Sequence, residues 1–201
     1  MEEVGINRSI LSDEKLIDVW GRRNPRFEKK YELSVMRIIS DYGNRAGEQT
    51  SIKAKLFGPG YETYIIAFFI GLYAEKKLPL SKDNDDLKTL GQPLDKWGNL
   101  QTNARKAYPA IRNYLLYALV AKTEIDWLAV DKGELPLADA VTELIHTMEE
   151  YANYGFAVME EKLNEDKGYF FSKRAFLDIF LQLTTKEASQ QKNDDDDLEE
   201  L

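Results

Sequence analysis

The chain has 201 residues, of which 43% are hydrophobic and 31% are charged, a composition typical of a globular protein. It has no cysteine and one histidine, His146, which excludes disulfide scaffolds, thiolate metal sites and metal centres that need two imidazoles. No apolar run reaches the roughly 18 to 20 residues that span a bilayer, and the polar first residues do not resemble a signal peptide. We therefore expect a cytoplasmic protein without a membrane segment.

The first third of the chain is predicted to contain two helices and a loop. Ser12 is a suitable N-cap for a short helix that ends at Gly21. The pair Asn24 and Pro25 then predicts a second helix, whose apolar stripe continues to a stop at Gly43. Residues 43–60 are glycine-rich and indicate a loop, in which residues 51–57 alternate enough for a brief strand without an evident partner.

The centre of the chain contains the most apolar segment. Residues 64–74 carry no charge, which predicts a helix in the core, and Gly71 within it suggests close approach of a neighbouring helix. Residues 78–98 form the longest irregular stretch, and such a loop is usually functional or conceals a short helix. Residues 102–130 are again helical in pattern, with an interruption at Pro109.

The last third is predicted to hold the clearest helix, from Pro136 to about Asn164, and a final helix capped by Ser172. The sequence thus predicts an all-α fold, a single-domain irregular helical bundle of about six to seven helices. We place this domain at residues 1–189. Residues 190–201 are predicted to be a disordered acidic C-terminal tail.

Charge is unevenly distributed along the chain. The net charge is −8, and residues 187–201 alone carry −6. Near the other end, five cations crowd together, and Phe27 and Tyr31 interleave with them although both belong to an apolar stripe. The candidate residues for binding nucleic acid or another anion are this cluster and two lysines that precede Gly58-Pro59-Gly60: Arg22, Arg23, Arg26, Lys29, Lys30, Lys53 and Lys55. A second, weaker cluster of Arg105, Lys106 and Arg112 could extend the patch.

The motifs that resemble di-iron, calcium and nucleotide sites each lack residues that such sites require. Glu143 and His146 have the spacing of a di-iron ligand pair, but that design needs two histidines. Residues 83–86 are rich in aspartate, yet the glycine and glutamate of a calcium loop are missing, so a turn or helix cap is expected. Gly58-Pro59-Gly60 is interpreted as a turn into a buried helix, since no nucleotide-binding pattern follows. The sequence predicts no catalytic residue, no metal and no cofactor.

Aromatic residues point to protein contacts. Eleven tyrosines and three tryptophans are many for a small helical interior, and both residue types are enriched at interfaces. The rings concentrate around the core helix, the 78–98 loop and the helix that follows, where Tyr114 and Tyr117 lie. The candidate partner-contacting residues are Trp97, Tyr108, Asp194, Asp195, Asp196 and Asp197.

These observations favour a non-enzymatic helical adaptor or accessory subunit of a larger intracellular assembly, with a protein partner contacted through the 78–98 loop and the acidic tail. The alternative is a nucleic-acid-binding accessory protein that acts through the Arg22–Lys30 patch. An enzyme ranks third because no nucleophile or general base can be named. The sequence identifies neither the partner nor the oligomeric state.

Overall fold

The structure is a computed structural model, and it describes residues 15–43, 56–101 and 106–183. These residues fall into two compact units, each made of separate stretches of the chain. The first unit takes residues up to Asn24 and from Pro93 to His146, and the second takes Pro25–Gln92 and the residues from Thr147 onwards. The described residues are mostly helical, so the predicted fold class is confirmed. The boundary predicted at 189/190 lies outside the described residues and stays a prediction.

The first unit contains short helices and the start of a long one. Its elements are α1 (Leu16–Gly21), a 3₁₀ turn (Leu94–Lys96), α4 (Ile111–Ala121), α5 (Trp127–Asp131) and the first part of α6 (Leu137–Glu165). α1 ends at Gly21 as predicted, whereas its predicted cap Ser12 lies outside the described residues. The amide of Leu94 donates to the carbonyl of Arg23 at 3.0 Å and joins the 3₁₀ turn to the end of α1. Trp20, Leu94 and Trp97 are fully buried.

The second unit is built on the contact between α3 (Gly60–Tyr73) and the later part of α6. A Cβ placed on Gly71 would lie 2.0 Å from the carbonyl oxygen of Tyr151, and one placed on Gly155 would lie 1.8 Å from that of Ala67. Real Cβ atoms do not approach a backbone oxygen so closely, so only glycine fits at either position. The close helix approach that the sequence suggested at Gly71 is therefore confirmed.

The predicted helix from Pro25 is wrong at its start. Arg26–Glu28 form a strand, β1, which pairs antiparallel with β2 (Leu87–Thr89), and Phe27 lies opposite Lys88. The chain becomes helical only afterwards, as a π-helical stretch (Glu32–Met36) followed by α2 (Arg37–Ile39). Local capping signals favoured helix at residue 25, but pairing with a strand some sixty residues later overrides them.

An ion-pair cluster ties β2 to the π-helical stretch. The Glu32 carboxylate accepts hydrogen bonds from Lys88 at 2.6 Å and from Arg37 at 2.6 Å. These two cations, Lys88 foremost, hold the pKa of Glu32 below its usual value. The short sheet is thus attached to the helix through side chains on both sides of one carboxylate.

Aromatic rings fill the interior of the second unit. Phe156 of α6 contacts three of them, stacking on Tyr31 with ring centroids 5.3 Å apart and meeting Tyr64 and Phe27 at 5.7 and 6.1 Å. The apolar stripe predicted from Phe27 and Tyr31 therefore does face the core, although Phe27 reaches it from a strand. The spacing of Phe27 and Tyr31 identifies both as core residues, but it does not determine whether a helix or a strand carries them.

The remaining elements agree in part with the sequence. Residues 106–110 precede α4 without helical structure, so the interruption predicted at Pro109 is confirmed, and residues 102–105 lie outside the described part. The predicted long helix is α6, and residues 175–183 form the last helix, α7, with the Ser172 hydroxyl accepting from the amide of Arg174 at 3.3 Å. Of the brief strand predicted over residues 51–57, the described part is Leu56 and Phe57, and Phe57 forms a parallel bridge with Ser40.

The stretch 78–98 is an integral part of the fold. It contains β2 and the 3₁₀ turns Asn84–Asp86 and Leu94–Lys96, so the concealed helix that the sequence allowed is a pair of single turns. The amide of Leu78 donates to the Glu150 carbonyl at 3.1 Å, and the amide of Leu90 donates to that of Pro25 at 3.3 Å. Within the described residues, no helix is both long enough and apolar enough to cross a bilayer.

The helix contact at Gly71 can be tested by adding one methyl group. We expect Gly71→Ala to lower the free energy of unfolding by about 3 kcal/mol, because the new Cβ meets a backbone carbonyl that cannot move without shifting α6. The measurement is urea denaturation followed by circular dichroism. The matched control is Gly168→Ala in the same unit, where the nearest atom is the carboxylate oxygen of Asp166 at 3.2 Å. Equal stability of the two variants would contradict the close contact.

Candidate functional site

The predicted basic cluster is largely used inside the protein. Arg26 makes a two-pronged contact with Glu149, from Nε to Oε1 at 3.2 Å and from Nη2 to Oε2 at 3.0 Å. Its backbone amide donates to the same carboxylate at 2.8 Å. The Glu149 side chain is only 2% exposed, whereas that of Arg26 is 42% exposed. The arginine therefore neutralises a buried charge, and the hydrogen bond that it donates to Glu149 raises the pKa of Arg26.

Two other cations of the predicted basic cluster that lie in the second unit, Lys29 and Lys30, also have internal partners. Lys30 forms an ion pair with Glu28 at 2.6 Å, and Lys29 donates to the backbone carbonyl of Asp85. In the first unit, Arg23 donates from Nη2 to the hydroxyl of Thr142 at 3.2 Å. A phosphate would have to compete with these contacts. Strand β1 replaces the predicted helix at Arg26, so Arg26 and Lys30 do not lie one turn apart on a helix.

A buried polar network surrounds Glu149. Asn153, one turn further along α6, donates to the carboxylate of Glu28 at 3.1 Å and to the carbonyls of Leu78 and Pro79, each at 3.2 Å. The hydroxyl of the fully buried Tyr64 donates to the carbonyl of Arg26 at 3.2 Å. Burial raises the pKa of Tyr64 well above its usual value, so this hydroxyl keeps its proton. The network holds strand β1 and the start of the 78–98 stretch on helix α6.

The first unit contains a cavity of about 500 Å³, here called the α1–α4 cavity. Among the described residues that line it, four are charged, two of each sign: Asp18, Arg22, Asp95 and Arg112. The others are Ile17, Trp20, Gly21 and Asn113. α1 and its C-cap, the Leu94–Lys96 turn and the start of α4 supply these residues, so three elements distant in sequence define the cavity.

Backbone contacts hold the wall of this cavity in place. Arg112 donates from Nε to the carbonyl of Pro109 at 3.1 Å and from Nη1 to the carbonyl of Asp95. On the opposite side, a Cβ on Gly21 would lie 3.3 Å from the Cβ of Asp95, so α1 packs tightly on the turn. The sequence placed Arg22 and Arg112 in separate basic clusters, and the structure brings both to one cavity.

The predicted partner-contacting residues have different environments. Trp97 is fully buried, so it does not offer the contact surface expected of it, and Tyr108 is half-buried. Asp194, Asp195, Asp196 and Asp197 lie outside the described residues, as do Lys53, Lys55 and Arg105. The most exposed rings among the described residues are those of Tyr114 and Tyr117, at 63% and 65%. They lie one turn apart on α4, which buries Leu115, Leu116 and Leu119 on its other side.

The residues considered for metal and calcium binding have the following surroundings in the described part of the chain. No group of three or more histidine, aspartate or glutamate side chains there could hold a metal ion. His146 is exposed on α6. Asp83 accepts a hydrogen bond at 2.8 Å from the amide of Asp85, so the predicted turn or cap is confirmed. Pro59 and Gly60 begin α3, as the turn interpretation required.

The sequence patterns do not predict that charged side chains from different elements converge on the α1–α4 cavity. Asp18 and Asp95 belong to different short elements, and no spacing rule relates them to Arg112. The available signal was Gly21 at the end of α1, which indicated only a helix stop. No family model, curated protein or solved structure matches this chain.

The Arg26–Glu149 pair should be structural, and a pair of substitutions tests this. We expect Arg26→Met to destabilise the protein by about 3 kcal/mol, because it leaves the buried Glu149 carboxylate without its counter-ion. Arg26→Met combined with Glu149→Met should regain part of that loss, since no buried charge remains. Urea denaturation measures both.

The matched control is Arg174→Met, which removes one partner of the exposed pair with Asp178 at 3.4 Å. It should change the free energy of unfolding by no more than about 0.5 kcal/mol. Strictly additive losses in the double variant would show that Arg26 and Glu149 are not energetically coupled.

Proposed function

We propose that the chain is a non-enzymatic adaptor or accessory subunit, located in the cytoplasm, that binds a protein partner through the exposed face of α4. The observation that supports this proposal is the pair of tyrosines, Tyr114 and Tyr117, exposed side by side on a helix whose opposite face is buried. Residues three apart on a helix are neighbours, so the two rings form one continuous surface.

The composition of this face favours a protein over a nucleic acid. Within α4 the exposed positions are Asn113, Tyr114, Tyr117 and Ala121, and none of them is charged. A phosphate backbone is bound mainly through cations, which this face lacks. Tyrosine is enriched where proteins meet because its ring buries apolar area while its hydroxyl keeps a hydrogen-bonding partner. The occupant that fits is a protein surface with an apolar centre and hydrogen-bonding groups around it.

Substitution of both tyrosines should abolish partner binding and leave the fold intact. We expect proteins that co-purify with the chain from its native source to be lost from the Tyr114→Ser/Tyr117→Ser variant. For the identified and purified partner, calorimetry should show each single change weakening binding about 30-fold, which corresponds to about 2 kcal/mol at an interface hot spot.

The matched control replaces an exposed apolar pair in the other unit. Leu177 and Leu181, 53% and 50% exposed on α7, become serine. This variant should keep the partner, and circular dichroism should show that both variants are folded. Unchanged calorimetric affinity of the tyrosine variant would refute the proposal. The same would follow if sedimentation showed that the tyrosines support only self-association.

Nucleic-acid binding through the Arg22–Lys30 patch is the second candidate. It has one observation in its favour, since Arg22 from the first basic cluster and Arg112 from the second line the same cavity. Against it, Arg26 and Lys30 are engaged with Glu149 and Glu28. The patch therefore offers fewer available cations than its sequence indicates.

A gel-shift titration tests this candidate if it spares Arg26, whose loss would leave Glu149 unpaired. Arg22→Gln combined with Arg112→Gln should weaken binding to single-stranded DNA and reduce the salt dependence of the affinity by about one counter-ion per lost phosphate contact. Arg174→Gln, on the exposed surface of the other unit, is the control. Identical titration curves for all three proteins would eliminate the patch.

A further inference from the structure

The α1–α4 cavity carries opposite charges that the protein does not fully pair. Within the described residues, Arg112 is bonded to two backbone carbonyls and forms no ion pair, so its positive charge is uncompensated. The carboxylate of Asp18 makes no hydrogen bond or ion pair with any described residue, and Asp95 pairs through Oδ2 with Lys96 at 3.1 Å. The wall thus offers one unneutralised cation and one unneutralised anion.

Two further polar atoms of the wall residues are buried without a partner in the described part of the chain. They are the indole Nε1 of Trp20, a donor, and Oδ1 of Asp95, an acceptor. A buried polar atom without a hydrogen bond destabilises a protein by about 1 to 3 kcal/mol, and folded proteins rarely leave such atoms unpaired. Both atoms have almost no accessible surface, so a molecule in the cavity meets the charged side chains of Asp18 and Arg112, which are not buried, and not these two atoms.

We propose that the α1–α4 cavity binds a small zwitterion, a molecule that carries both a carboxylate and an ammonium group, such as a short peptide or a free amino acid. Arg112 receives the carboxylate, and Asp18 receives the ammonium group. A volume of about 500 Å³ lies within the range of small-molecule sites. This inference concerns the cavity and not the Tyr114–Tyr117 surface, although Asn113 borders both, and it does not rest on the adaptor proposal.

The balance of charge selects this ligand class. Two carboxylates in the wall repel a polyanion such as a nucleotide phosphate, and two guanidinium groups repel a polyamine. A zwitterion is attracted at both ends and adds no net charge to the site. The guanidinium of Arg112 is also suited to a carboxylate, because its Nη2 donors bond no described residue, while Nε and Nη1 are held by backbone carbonyls.

The indole N–H of Trp20 provides a direct readout. The chain has three tryptophans, so a ¹H–¹⁵N spectrum shows three indole signals, and Trp20→Phe assigns the one that matters. Triglycine, glycine, acetate and methylammonium are titrated separately at constant ionic strength. We expect a saturable shift of the Trp20 signal by a zwitterion with a dissociation constant of about 1 mM or tighter. Acetate and methylammonium should give no saturable shift.

The two zwitterions identify the source of the ligand. Saturation by triglycine alone indicates a peptide, and saturation by glycine as well indicates that a free amino acid suffices. Asp18→Asn, an isosteric change at an exposed side chain, should weaken binding at least about tenfold, as should Arg112→Gln. Arg174→Gln in the other unit should leave the affinity unchanged.

Two results would overturn the proposal. One is the absence of a saturable shift with either zwitterion. The other is a shift that acetate produces equally and that Asp18→Asn leaves unaltered, which would make the cavity a simple anion site. Because the Asp18 carboxylate forms no hydrogen bond or ion pair with a described residue, the Asp18→Asn result stands even if Arg112→Gln proves unstable.

Discussion

The close approach of α3 and α6 is the constraint on which the second unit depends. Each helix contributes one glycine and one carbonyl: Gly71 meets the oxygen of Tyr151, and Gly155 meets that of Ala67. With the backbones this near, the flanking rings must lie beside the contact and not within it, as Phe68 does against Tyr151 at 6.1 Å. A side chain at either glycine would separate the helices and open the aromatic core.

The same helix then fixes the strand and the long connecting stretch. Glu149 and Asn153 lie one turn apart on α6 and are both buried. A buried carboxylate must be neutralised, and Glu149 obtains both its counter-ion and a backbone donor from Arg26. Asn153 reaches the carbonyls of residues 78 and 79, where the chain leaves the helical core. Two polar side chains thus place β1 and the start of the 78–98 stretch.

The elements that sequence patterns predict well are those whose own residues decide their structure. The alternating apolar spacings in α6 and the uncharged run in α3 define faces that must be buried whatever surrounds them. Gly71 indicates a close helix contact, because a glycine inside a helix lowers its stability and is favoured where a neighbouring backbone leaves no room for a side chain. The α1–α4 cavity could not be foreseen, since its wall combines α1, a 3₁₀ turn and α4.

The error at Pro25 has a physical cause that local rules do not contain. Asn24 and Pro25 are good helix-starting residues, and Phe27 and Tyr31 have helical spacing. Strand pairing with Leu87–Thr89 and the bond from the Arg26 amide to Glu149 supply partners that a helix would not use. Both interactions join residues far apart in sequence, so tertiary contacts decide the conformation of this segment. Trp97 was misassigned to a surface for a similar reason, since residue type alone does not distinguish a core indole from an interface one.

The distribution of charge relates the fold to the proposed function. In the second unit, Arg26, Lys30 and Lys88 are each held by a carboxylate of the same unit, so cations that look available in the sequence serve the fold. In the first unit, the exposed positions of α4 carry no charge at all. An exposed helix face normally takes lysine or glutamate, because exposed rings lower solubility and gain nothing from water. Two neighbouring tyrosines in that position support the proposal that a partner covers them, and the engaged cations of the second unit count against the basic cluster as the binding surface.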